Sequence, residues 1–167
     1  MLWSHLGSGP TNTENRAITK QSALAEKKPL LSLDVGDARI GVAVSQNQIL
    51  AHPLCTIQRR AIPADVVAVV ELIDKYEPAK IVVGLPLKWD GQISIQGQKI
   101  KDFADLLALA IQIEIVFWDE RGTTIQAKKI MITNKIRRNR KKQKVDQIAA
   151  ALILEDYLQH LQVDGGD

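Results

Sequence analysis

The segment Ile81-Val82-Val83-Gly84 is apolar on both of the faces a strand would present, and it lies between Pro78, which ends a helical pattern, and Leu85-Pro86, which opens a loop running through Gly91. A strand of that kind belongs at the centre of a sheet covered on both sides, so the chain around it must supply both neighbouring strands and covering helices. Leu30 to Val35 and Arg39 to Ser45 read as two strands, joined as a hairpin by the tight connection Gly36-Asp37-Ala38. Ile49 to Ile57 supplies a weaker third strand, in which Pro53 points to an edge position or an interruption. Pro63 opens a helix to about Tyr76, with Val66, Val67, Val69, Val70 and Ile73 spaced to bury one side. Gln96 to about Ile111 reads as a second helix and Ile113 to Trp118 as another strand. Thr123 with Gln126 forms a capping box for a helix to about Thr133, and Val145 to Leu161 is the last helix. The expected fold class is therefore mixed α/β, a central β-sheet flanked by α-helices.

A chain of 167 residues suits one domain with a sizeable core. Residues 1–28 break the pattern: Gly7-Ser8-Gly9-Pro10 and Thr11-Asn12-Thr13-Glu14-Asn15 have no sustained period, giving an irregular N-terminal extension with a short helix near Lys20 to Lys27. Glu14 and Glu26 count against a transit peptide. The folded domain is expected over 29–162, followed by a short tail, 163–167. No run of eighteen apolar residues and no secretory leader is visible, so a cytoplasmic protein with no membrane partner is expected. The single Cys55 sits in an apolar stretch, reads as a buried thiol and is given no catalytic role.

Three acidic motifs recur at the ends or beginnings of these elements: Leu33-Asp34-Val35-Gly36, Trp118-Asp119-Glu120-Arg121 and Val145-Asp146-Gln147-Ile148-Ala149-Ala150. Carboxylates gathered without Cys or His suit a hard cation such as Mg²⁺ or Mn²⁺ and the chemistry of phosphodiester cleavage. Strand parity places Asp34 with Ser32, opposite Leu31, Leu33 and Val35. Gly41 and Ala43 of the next strand share a face as well, and if it is Asp34's face these small neighbours leave room for an ion. Against this, an Asp before Gly is commonly a strand-ending turn residue, which is the reading kept for Asp37. Asp119 and Glu120 end a strand where open α/β sheets commonly bind ligands, and parity allows only one of them to join Asp34; Glu120 is favoured, Asp119 second. Arg121 would steer a carboxylate or hold a phosphate oxygen. Asp146 is stabilised in a first helical turn whatever the function. It nevertheless heads the inward stripe Ala149, Ala150, Ile153 and Tyr157, where an acid needs a partner or a metal.

Seven of the 22 Lys and Arg residues (Lys135, Arg137, Arg138, Arg140, Lys141, Lys142 and Lys144) fall within ten positions that hold no acid, while the other 15 are outnumbered by 19 acids. The basicity is thus a local patch. Such a patch binds a nucleic-acid backbone with little regard to sequence, or is merely a solvated, self-repelling loop; its position just before Asp146 favours the first.

These motifs, with Arg39-Ile40-Gly41-Val42-Ala43-Val44-Ser45, Val83-Gly84-Leu85-Pro86-Leu87, Asp90-Gly91, Thr123-Thr124 and Ala149-Ala150, resemble the YqgF (RuvX) family over roughly Leu30 to Leu161. The resemblance implies a ribonuclease H-like fold related to the resolvase RuvC. It also implies a nuclease maturing the 5′ end of the small-subunit (16S) ribosomal RNA precursor, with that precursor and ribosomal particles as partners and a homodimer left open. The family's catalytic acids fall on Asp34, the Asp119-Glu120 pair and Asp146. With Asp34, Glu120 (or Asp119) and Asp146 as ligands, two Mg²⁺ or Mn²⁺ ions about 3.5–4 Å apart would assist hydrolysis. Arg39, Lys88, Arg121 and the 135–144 patch would hold the substrate backbone. Gln46 stands where the family usually has Asp, and Gly122 where it usually has Leu; the latter would loosen the turn that aims Glu120 and alter activity.

Two rivals within this framework are a Holliday-junction DNA resolvase, using the same acids, and a catalytically silent nucleic-acid-binding scaffold, against which the retention of all three acidic positions argues. An ATPase of the actin and sugar-kinase type shares the Asp-x-Gly strand but needs two such domains. No Walker A loop, His/Cys metal spacing or Ser-His nucleophile system is present in the sequence.

Overall fold

The structure is a computed structural model that describes residues 27–121, 125, 128–132 and 143–164. The expected extension over 1–26, the start of the capping-box helix at Thr123, Gly122 and the basic residues from Lys135 to Lys142 lie outside the described residues. Five strands form one sheet: β1 (Leu30–Val35), β2 (Arg39–Ser45), β3 (His52–Gln58), β4 (Lys80–Leu85) and β5 (Glu114–Asp119), in the order β3-β2-β1-β4-β5. The first three make an antiparallel meander, and β4 and β5 add parallel to the other side of β1. Helix α1 (Ile62–Tyr76) joins β3 to β4, α2 (Ile95–Ala110) joins β4 to β5, and α3 (Gln143–Asp164) closes the order. Ile125 and residues 128–132 are also helical.

The period-2 pattern of β1 divides the core in two. Leu31, Leu33 and Val35 face one side, where they join Ile40, Val42, Ile81, Val83, Val69, Ile73, Phe103 and Leu107 in a cluster closed by α1 and α2. On the other side, Leu30 and Val82 pack on Ile153, Leu154, Tyr157 and Leu158 of α3, and Ala43 meets Ala150 and Ala151. The result is a helix–sheet–helix sandwich, and Ile81, Val82 and Val83 are fully buried between its layers.

The ends of the elements have local causes. Ala61 precedes α1 in extended conformation with Pro at the first helical positions, and the chain leaves through Glu77 in left-handed conformation (φ 45) before Pro78. Asp65 is 2% exposed and accepts hydrogen bonds from Arg59 Nε at 2.9 Å and the Arg60 amide at 3.0 Å, so this acid fixes the entry to α1. The third strand starts at His52, not Ile49, because Asn47 Oδ1 accepts from the Ile49 amide at 3.1 Å and Gln48 has φ 59, which keeps 47–49 in a turn. Pro53 is both at the edge and at an interruption: it pairs with Ala43 where the register shifts. That edge position also corrects the expectation for Cys55, whose thiol is half-buried rather than buried; burial still pushes its pKa up.

Candidate active site

The α3 side of β1 carries the site. Ser32 donates to the Ala150 carbonyl at 2.7 Å, which fixes that face of the strand against α3, and Asp34 follows on the same face, opposite Gly41 of β2. The space over Gly41 is not open to an ion, as the small side chains had suggested. A Cβ built on Gly41 would lie 1.9 Å from the Asp146 carbonyl oxygen, so the glycine admits the backbone of α3 itself. The close approach sets Asp146 over β2, the strand paired with Asp34's, and the Asp146 carboxylate accepts from Arg39 Nε of that strand at 2.5 Å.

Glu120 arrives from the other side. Its amide donates to the Leu85 carbonyl at 3.3 Å, extending the β4–β5 pairing by one residue past Asp119, and its side chain lies over Gly84, where a Cβ would meet Oε1 at 2.1 Å. Any larger residue at Gly84 would bar the carboxylate from crossing β4 towards β1. Glu120 is 7% exposed, and burial pushes its carboxyl above the usual range, with Lys129 opposing.

Asp34 and Glu120 meet on one cation. Lys129 Nζ donates to Asp34 Oδ1 at 3.0 Å and to Glu120 Oε2 at 2.5 Å. Burial lowers the affinity of this amine for its proton, but the two carboxylates outweigh it and hold the pKa above that of an ordinary lysine. Lys129 was not foreseen as a site residue. The available signal was helical spacing: Ile125, 2% exposed, lies four residues before it, which puts the lysine on an inward face.

Asp119 is engaged elsewhere. Arg121 grips it through Nε at 2.8 Å and Nη2 at 2.6 Å to Oδ2, and these hydrogen bonds hold the Asp119 carboxyl below the usual range. Arg121 Nη1 also reaches the carbonyls of Lys88 and Trp89, so this arginine ties the loop after β4 to the end of β5. Asp37, the turn acid, makes an exposed ion pair with Lys99 at 2.9 Å. Lys144, the only described member of the basic stretch, is exposed near the start of α3, and Lys88 is exposed on its loop.

Among the described residues no three His, Cys, Asp or Glu side chains converge closely enough to hold a metal by themselves. The donor chemistry still fits a hard cation. Two carboxylate oxygens bracket a single positive charge, and a third acid stands on the adjoining helix with an arginine as its partner.

Comparison with known proteins decides the family. The RuvX family profile, described as a Holliday junction resolvase, matches residues 28–160. The chain belongs to the RuvX family. A relative from Caldanaerobacter subterraneus, named a candidate pre-16S rRNA nuclease, is 42% identical over 131 residues, covering 77% of this chain and 94% of its own. A second of the same name, from Desulforudis audaxviator, is 39% identical over 130 residues, covering 77% and 92%. Among solved structures, Thermus thermophilus RuvC in complex with a Holliday junction superposes with a TM-score of 0.53 at 12% identity, over 79% of this chain and 95% of that one. That likeness establishes the ribonuclease H-like fold of this RuvX-family chain. No helix among the described residues is long and apolar enough to cross a membrane.

Proposed function

We propose that this RuvX-family chain is a metal-dependent nuclease, a hydrolase of phosphodiester bonds, that acts in the cytoplasm on the 5′ end of the small-subunit ribosomal RNA precursor. The observation that carries the reading is the pair Asp34 and Glu120 converging on one cationic atom, Glu120 reaching it across Gly84. The names of its relatives supply the substrate. Asp34, Glu120 and Asp146 would hold one or two Mg²⁺ or Mn²⁺ ions, which supply Lewis-acid stabilisation of charge on the phosphoryl group.

The chain's own side chains have separable tasks. Asp34 and Glu120 present oxygens from β1 and from the end of β5, and the burial of Glu120 keeps water from screening them. Arg39 donates through Nε to the Asp146 carboxylate and would position that acid. Arg121 likewise fixes Asp119 and the loop after β4, which leaves Lys88, Lys144 and the rest of the 135–144 stretch as the cations that would hold the substrate backbone.

The deciding experiment incubates the protein with a precursor small-subunit rRNA fragment and with a four-way DNA junction, each with Mn²⁺ or chelator. Metal-dependent cutting of the RNA is expected; cutting of the junction alone would make the chain a resolvase, and binding of either without cutting would make it a scaffold. The geometry also predicts the metal ligands. In a calorimetric Mn²⁺ titration, Glu120→Gln should weaken binding by roughly tenfold or more, one charged ligand being worth at least one decade, whereas Asp119→Asn should leave it within about threefold. Lys129→Met should tighten Mn²⁺ binding, because it removes the ammonium that competes for the same two carboxylates.

A further inference from the structure

The three described apolar positions most open to water are Trp89, Leu109 and Ile95, at 87%, 84% and 83% exposure. Leu109 lies near the end of α2, where the chain enters β5, at the opposite end of that strand from Glu120. Trp89 lies on the loop after β4, at the end of the sheet where β1 carries Asp34 and Glu120 follows β5. A bare indole is the costliest of the three to leave in water and is commonly kept where a ring-shaped partner covers it. Trp118 provides the contrast within the same chain: its Nε1 donates to Asp156 at 2.8 Å and its ring meets Tyr157 edge-on at 5.2 Å.

The loop that presents Trp89 is held firmly. The Lys88 amide donates to the Gln92 carbonyl at 2.8 Å, the Gly91 amide donates back to Lys88 at 2.9 Å, and Leu87 bridges Ile93. Asp90 turns its carboxylate inward to the Gln92 amide at 2.9 Å. Ser94, the N-cap of α2, clamps the far end by donating to the Pro86 carbonyl at 2.9 Å. Arg121, the residue next to Glu120, reaches the carbonyls of Lys88 at 3.3 Å and Trp89 at 3.5 Å. The backbone that carries Trp89 is therefore tied to the residue next to Glu120, with an exposed lysine immediately before the tryptophan.

We propose that Trp89 is a stacking platform for an unpaired nucleobase flanking the scissile phosphate, with Lys88 holding the adjoining backbone. The proposal rests on the nuclease reading above and adds a preference for single-stranded over fully paired substrate next to the cut. Paired bases keep their faces stacked within the helix, whereas an unpaired base offers a face to the indole. Because the loop is already ordered, little conformational freedom is lost when the base binds.

The test uses the full chain in chelator, so that nothing is cut, with a fluorescein-labelled twelve-nucleotide single-stranded RNA and the corresponding duplex. Trp89→Ala should weaken single-strand binding roughly 5- to 150-fold, Trp89→Phe should restore most of the loss, and Leu109→Ala should change nothing. Duplex binding should fall far less, and the fluorescence quenched on adding single strand should be missing from Trp89→Phe. Equal loss of duplex and single-strand binding in Trp89→Ala, or no loss of either, would overturn the stacking role. With metal restored and precursor RNA still cut by wild type, those outcomes would leave the nuclease reading intact. Wild type that neither binds single strand nor cuts would overturn both.

Discussion

Asp34→Asn should abolish metal-dependent cleavage, by at least roughly 10³-fold, equivalent to about 4 kcal/mol of transition-state stabilisation, while leaving the protein folded. Asparagine has the shape of aspartate and retains an oxygen to accept from Lys129, so the contact at 3.0 Å has a replacement. What it lacks is the charge that would hold a divalent cation. The lost charge should also lower stability in chelator by about 1.5–3 kcal/mol, the range for hydrogen bonds to charged groups, because Lys129 then faces one carboxylate instead of two. The two effects separate by temperature. Assayed well below its melting point, the variant should remain inactive if Asp34 serves the reaction; a purely structural Asp34 would show activity recovering on cooling. Binding of single-stranded RNA in chelator should hold or strengthen, since one negative charge near the phosphates is gone.

The same residues show how much of this was legible beforehand. The period-2 alternation of Leu31, Leu33 and Val35 against Ser32 and Asp34 is a local pattern, and both faces of β1 follow from it. The alanine stripe of α3 was readable for the same reason, as were the buried character of β4 and the edge position of Pro53. Long-range pairings were not. Nothing in the sequence says that Arg39 meets Asp146 across 107 residues, or that Lys129 meets Asp34 across 95, because a lysine on a helix face gives no sign of which acids the fold will bring to it. Arg121 was foreseen as a partner for a carboxylate or a phosphate, and only the structure shows that Asp119 and the backbone of the Trp89 loop take its donors. Gly41 was read as space for a ligand. The space exists, but the backbone of α3 fills it.

Gly41 and Gly84 consequently predict two different failures from the same substitution. In Gly41→Ala the new methyl would sit 1.9 Å from the Asp146 carbonyl oxygen and 2.2 Å from its carbonyl carbon, and hydrogen-bonded helix backbone, unlike a side-chain end, cannot swing aside locally. The whole N-terminal part of α3 must lift, taking with it the Ser32–Ala150 hydrogen bond and the contact of Ala43 with Ala150. Overpacking of this kind costs about 3 kcal/mol, which for a domain of this size lowers the melting temperature by about 10 °C. In Gly84→Ala the methyl meets Glu120 Oε1 at 2.1 Å and Ile153 Cδ1 at 2.5 Å, both far ends of rotatable side chains. These can swing away, so the melting temperature should fall less than in Gly41→Ala. Glu120 would then be turned off its line to Asp34 and Lys129, and cleavage should drop by at least roughly 10²-fold, the cost of misplacing a group by about 1 Å. Thermal melts paired with cleavage assays of the two variants check the contrast. If Gly84→Ala cuts like wild type, Glu120 does not act through its path across β4, and the pairing of Asp34 with Glu120 loses its functional meaning.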